Sequence, residues 1–172
     1  MFNQRGKTLQ TWGKDTTGLI SYTLNNQGFR SDIDYTEPSE YAFFGSSAIF
    51  GIGVKTEDTL VAQLNAQNYG LAGEYVNQDS VINLENFLNT KLYNNTRIVF
   101  FWVSRPNENI TTLSNYVNSL VPNVLHISQG PQYSGLINLM PQCDLDVSGT
   151  HPGPKTQLIW AKTIQAIFDN ES

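Results

Sequence analysis

The chain has 172 residues, long enough for one domain with a sizeable core; 40% are hydrophobic and only 15% charged. A formal net charge of −5 without any Lys/Arg cluster argues against a nucleic-acid partner, because phosphates are neutralised by grouped cations. Each apolar stretch is too short to span a bilayer, so no membrane partner is expected.

Residues 1–39 show no sustained periodicity and are punctuated by Gly6, Gly13, Gly18 and Gly28. They read as an arm or cap packed on a domain of residues 40–172. Residues 1–7 lack the apolar run of a secretory signal, and lone Cys143 excludes an internal disulfide; both lead us to expect the cytoplasm. Residues 41–44 form a short apolar strand. It runs into Gly45-Ser46-Ser47, a turn that can present a hydroxyl at the end of a sheet. Thr56-Glu57-Asp58 marks a helix start with acids in its first turn, leading into Leu60, Val61 and Leu64. Asn68-Tyr69-Gly70-Leu71-Ala72-Gly73 is a short extended piece closed by a glycine turn.

Val81, Leu84, Leu88 and Leu92 then make the stripe of an amphipathic helix. Residues 97–103 are the clearest strand, and their near-continuous apolar character suits the centre of a parallel sheet. Leu113, Tyr116, Val117 and Leu120 form another helical stripe, stopped by Pro122. Residues 123–127 read as a strand and 156–168 as a C-terminal helix. Strands alternating with helices predict an α/β fold, a three-layer αβα sandwich around a parallel, flavodoxin-like sheet. Sites in such sheets collect beyond the carboxyl ends of the strands. Ser47, Gly70 and the loop 104–107 each follow a predicted strand and are expected at one edge.

Few residues can carry chemistry. There are two histidines and one cysteine, and no cluster with metal-ligand spacing. Ser47 and His151 are the minimum parts for nucleophilic acyl transfer, a hydroxyl and the imidazole that takes its proton. His126 lies inside an apolar strand and reads as structural. Arg105 reads as a surface arginine or a partner of Glu108, with a clamp for a substrate anion as the alternative. Asp144 and Asp146 make a weak metal site without histidine neighbours. Gly51-Ile52-Gly53 lacks the third glycine and the acid of a dinucleotide fingerprint; its expected job is letting the chain pass close behind the nucleophile turn.

The segment Phe44-Gly45-Ser46-Ser47-Ala48-Ile49-Phe50-Gly51-Ile52-Gly53-Val54 resembles the first block of the SGNH (GDSL-type) hydrolase family. Asn26-Gln27-Gly28-Phe29-Arg30 is similar to the lead-in of many bacterial and phage members. Asn68-Tyr69-Gly70 resembles the second block, Ser104-Arg105-Pro106-Asn107 stands at the third, and His151-Pro152-Gly153 matches the His-Pro end of the fifth. The resemblance covers roughly residues 25–168. It implies Ser47 as nucleophile and His151 as base. It also implies an oxyanion site from the Ser47 amide, the Gly70 amide and the Asn107 side chain, no cofactor, and a small acyl ester such as an O-acetyl group on carbohydrate. Each oxyanion donor is typically worth about 3 kcal/mol of barrier.

The chain departs from the pattern at several positions. Ser46 replaces the aspartate before the nucleophile, Ser104 replaces the glycine of the third block, and Glu108 follows Asn107 in place of aspartate. Ser148 stands three before His151, where the family places its histidine-orienting aspartate. Asp146, five before, is the substitute the sequence offers; a Ser–His dyad helped by a backbone carbonyl is the other arrangement. The same departures support a second reading, a non-catalytic carbohydrate-binding or virion-associated module on this fold. That reading extends the expected setting to a virion or a phage-infected host cell. A flavodoxin-like nucleotide binder is disfavoured, because the first turn lacks the glycine run and lysine that hold phosphates.

Overall fold

The computed structural model describes residues 20–73, 75–129 and 135–171. Five strands, β1 (Tyr41–Gly45), β2 (Gln67–Gly70), β3 (Arg97–Trp102), β4 (Leu125–Ser128) and β5 (Ile137–Asn138), form one sheet in the order β2-β1-β3-β4-β5. Every pairing is parallel. The helices are α1 (Ser47–Phe50), α2 (Leu60–Gln63), α3 (Asn77–Leu88), α4 (Ile110–Leu120) and α5 (Pro154–Glu171), with a 3-10 turn at Thr56–Asp58. This is the expected α/β fold, and its strand order is the flavodoxin-like one.

The pleat sends successive side chains to opposite faces, and the sheet carries a core on each. Ala42, Phe44, Ile98, Phe100 and Trp102 pack with Val81, Leu84 and Phe87 of α3 and Val117 of α4. Phe43, Val99 and Phe101 pack on the other face with Leu60 and Val61 of α2 and Trp160, Ile164 and Phe168 of α5. Burial on both faces explains why β3 reads as an unbroken apolar run.

Tertiary partners decide the helix ends. The stripe through Leu92 outlasts its helix: α3 closes at Asn89, and Leu92 joins the same core from the turn beyond. At its start, Glu108 reaches from the loop after β3 and accepts the N–H groups of Asn77 and Gln78 at 3.2 and 2.9 Å. Those are first-turn amides with no acceptor inside the helix. Glu108 forms no salt bridge with Arg105 among the described residues, so of the two readings of Arg105 the ion pair is the one not formed. β5 has only two exposed residues and no sequence pattern to announce it.

The chain leaves β1 outward to β2 and returns on the other side for β3, so the strand order reverses between β1 and β3. In open parallel sheets that reversal opens a crevice at the carboxyl edge. Ser47 begins the helix that follows β1, and the loop of Asn107 follows β3.

Candidate active site

Gly45 ends β1 at φ 154°, and a side chain there would collide with Ile49 and Phe101. Ser46 caps the four-residue α1 with its carbonyl, which accepts from Ile49 and Phe50 at 3.0 Å each. Ser47 is therefore the first helical residue, with an N–H that has no intrahelical acceptor. Its Oγ lies 3.1 Å from Nε2 of His151, within hydrogen-bond range. The serine and histidine paired from sequence are in contact in the fold.

His151 sits in the loop between Asp144 and α5. Asp146 is buried beneath it, its side chain fully shielded, and accepts the N–H groups of Thr150 and His151 on Oδ1 at 3.1 Å each. The carboxylate stands 3.7 Å from Nδ1 of the ring, too far for a hydrogen bond. The atom that meets Nδ1 is Thr150 Oγ1, at 2.9 Å. Asp146 therefore holds the backbone of the histidine loop and faces the ring as a nearby charge. Burial lowers the His151 pKa from its ordinary value, and the Asp146 charge opposes that shift in part.

The turn behind the nucleophile is clamped from residues 20–39. Arg30 is buried and donates through Nη1 to the carbonyls of Phe50 (3.2 Å) and Gly51, and through Nη2 to Val54 O at 2.7 Å. These include the carboxyl-terminal carbonyls of α1, where a cation is favoured. Burial pulls the Arg30 pKa down to about 10, still charged at neutral pH. Tyr22 Oη accepts from Gly53 N at 2.8 Å. Gly53 has φ 72°, and a Cβ there would fall 1.8 Å from Asp146 Oδ2. The glycines of this turn thus let it press against the carboxylate under His151. Residues 1–19 of the expected arm lie outside the described residues.

Gly70 has a different place from the one expected. It is the last residue of β2, its N–H donates to Asn68 Oδ1 at 2.9 Å, and a Cβ would strike Phe50 N at 2.3 Å. Its amide is engaged within the segment and its bare Cα lets β2 lie against α1. Gly73, beyond the strand end, is the glycine of this segment with left-handed backbone, at φ 107°. Asn107 is exposed on the loop after β3 with φ 66°, on the same sheet edge as Ser47. No hydrogen bond joins it to Ser47 or His151 among the described residues.

Asp144 caps α5, accepting from Lys155 N at 2.9 Å and from Thr156 N and Oγ1 at 2.7 and 2.6 Å. It neither orients His151 nor groups with other ligands; no cluster of three potential metal ligands exists among the described residues. His126 is structural, accepting Trp102 Nε1–H on Nδ1 at 2.9 Å and facing Asn118 Oδ1 through Nε2 at 2.8 Å. A cavity of about 620 Å³ lined by Arg97, Asn123, His126 and Glu171 opens near the amino ends of β3 and β4, away from Ser47.

Thr150, Arg30 and Tyr22 were not marked as site residues by the sequence. The local signal for Thr150 was the run Asp146-Val147-Ser148-Gly149-Thr150, where an aspartate precedes hydroxyl residues that commonly close such turns, and Arg30 stood in the lead-in of residues 26–30. Among the described residues no helix is long and apolar enough to cross a membrane. Comparison with protein-family models, curated proteins and solved structures finds no match for this chain.

Proposed function

We propose that the protein is a serine esterase that cleaves small acyl esters through an acyl-enzyme on Ser47. The observation that carries this reading is the 3.1 Å contact between Ser47 Oγ and His151 Nε2 at the switch point of a parallel sheet. A serine hydroxyl attacks only as its proton leaves, and a half-buried imidazole kept neutral near pH 7 is suited to take it.

Ser47 Oγ adds to the acyl carbon while its proton passes to His151 Nε2. The resulting oxyanion is met by the Ser47 N–H, with the Asn107 side-chain amide, on the loop after β3 at the same sheet edge, as the second donor. Collapse expels the alcohol, which takes the proton from the imidazolium. Water, deprotonated by His151, then attacks the Ser47 ester and releases the acid. Gly70 has no part in this scheme, because its amide is already bonded to Asn68. A narrower substrate class, an O-acetyl group on carbohydrate, is supported by the SGNH resemblance. That resemblance also underlies the choice of Asn107.

The test is covalent labelling of the intact protein with a fluorophosphonate, alongside hydrolysis of a short-chain nitrophenyl ester. Wild type should label at Ser47 and hydrolyse the ester, while Ser47→Ala does neither above background. Equal rates for the two proteins would sink the enzymatic reading and favour a non-catalytic module on this fold.

A further inference from the structure

We propose that Thr150 and Ser148 are positioning residues for His151, linking the Asp146 charge to the imidazole through two hydroxyls that select its tautomer. The proposal deepens the esterase reading and rests on it for its consequence in rate. Thr150 Oγ1 is 2.9 Å from His151 Nδ1 and 2.8 Å from Ser148 Oγ. Ser148 Oγ in turn lies 2.8 Å from both oxygens of Asp146. The carboxylate, at 3.7 Å from Nδ1, acts on the ring directly only as a charge; its hydrogen bonding reaches the ring through this chain.

Counting protons orients the chain. An ionised carboxylate only accepts, so Ser148 gives its single hydroxyl proton to Asp146. Its oxygen is then the acceptor for the Thr150 hydroxyl proton, and the Thr150 oxygen is the acceptor for Nδ1–H. A neutral imidazole carrying its proton on Nδ1 has its lone pair on Nε2, the nitrogen that faces Ser47 Oγ. That is the form able to act as base. The opposite order requires Ser148 to turn its proton from a charged acceptor to a neutral one, which is the weaker bond. It would also leave Nε2–H pointing at Ser47, with no lone pair to take the proton.

The same chain serves the charged state. When Nε2 gains the Ser47 proton, Nδ1–H stays on Thr150, and the new positive charge lies within reach of a buried carboxylate. The carboxylate is held by the N–H groups of Thr150 and His151 and backed by Gly53. Because Asp146 is spent on closing its own turn, it cannot also touch the ring. The two hydroxyls fill the gap that this geometry leaves.

Asp146→Asn gives the sharpest test. Asparagine keeps an oxygen for the two backbone amides, but its Nδ2 donates to Ser148; with the charged acceptor gone, Ser148 can turn its proton to Thr150, which reverses each hydroxyl bond and places the proton on Nε2. Heteronuclear NMR of the imidazole nitrogens in the full chain reads the tautomer without any turnover. Wild type should show Nδ1–H, Asp146→Asn Nε2–H, Thr150→Val a mixture, and Thr150→Ser a return to Nδ1–H. Thr150 is exposed, so its variants address the case in which Asp146→Asn fails to fold. Labelling of Ser47 should slow about 10⁴-fold in Asp146→Asn, as for a triad locked in the wrong tautomer. In Thr150→Val it should slow about tenfold to a hundredfold, the scale for an outer partner of a functional histidine, with Thr150→Ser recovering most of it. A wild type with Nε2–H, or Asp146→Asn and Thr150→Val proteins whose tautomer matches wild type, would overturn the chain. A wild type with Nδ1–H that reverses in Asp146→Asn, yet does not label, would support the chain and overturn the esterase reading.

Discussion

His151 is half-buried, and its two ring nitrogens have different neighbours: a serine hydroxyl on one side and a threonine hydroxyl on the other. Burial disfavours the imidazolium and lowers the pKa, and the Asp146 charge recovers only part of that loss. A base must be neutral, so the working form persists to lower pH than a free imidazole would allow. The rate of Ser47 labelling against pH should therefore rise through a single acid limb with a midpoint below about 6.5. A midpoint at or above that value would contradict the burial that defines the site. Sequence reading reached both members of this pair because the chain has only two histidines and Ser47 stands in a Gly-Ser turn directly after a predicted strand. It did not reach Thr150, since a threonine beside a histidine has no meaning until the ring is turned toward it.

Among the elements, α5 shows how the histidine loop is anchored. Gly153 stands before Pro154 and has no side chain to cap the helix. Asp144 performs that task from beyond the histidine loop, accepting from Lys155 and Thr156. Partial burial pulls its pKa up, but these hydrogen bonds together outweigh that and leave it below the usual value. Asp144→Ala should cost about 1 kcal/mol of stability, the usual loss of a helix cap, measured by urea unfolding. A change within error would mean that other groups satisfy those amides. The turn after β1 has the same logic: Arg30 gathers the carbonyls at the end of α1, and Gly53 gives Asp146 its space. Local propensity announced a turn there, whereas the clamp depends on a residue far earlier in the chain.

At the scale of the whole molecule, His126 ties β4 to β3 and α4 through Trp102 and Asn118. Burial depresses its pKa to about 4. The folded value lies below the unfolded one, so the unfolded chain binds more protons between them. Stability is then fully present above about pH 6.5 and lost as pH falls toward 4, with His151 adding in the same direction. Urea midpoints between pH 7 and 4.5 should fall, and should fall less in His126→Gln. Identical slopes in the two proteins would remove His126 as a source of the acid sensitivity.

The order of β1 to β4 and α2 to α5, the buried central strand and the pairing of Ser47 with His151 were legible in the sequence. Hydrophobic periodicity reports which faces are buried, and a parallel α/β order brings loop ends to one edge. The placement of Gly70 and the role of Asp146 were decided by tertiary structure. Gly70 ends a short extended segment, as an oxyanion donor would, but the neighbouring helix approaches so closely that its missing Cβ serves packing and its amide turns to Asn68. Asp146 has the charge to orient His151, yet the turn it closes draws both of the nearest amides onto one oxygen and stops the carboxylate short of the ring. Sequence names the chemical groups; the distance at which they act is set by hydrogen bonds and steric contacts between segments remote in the chain.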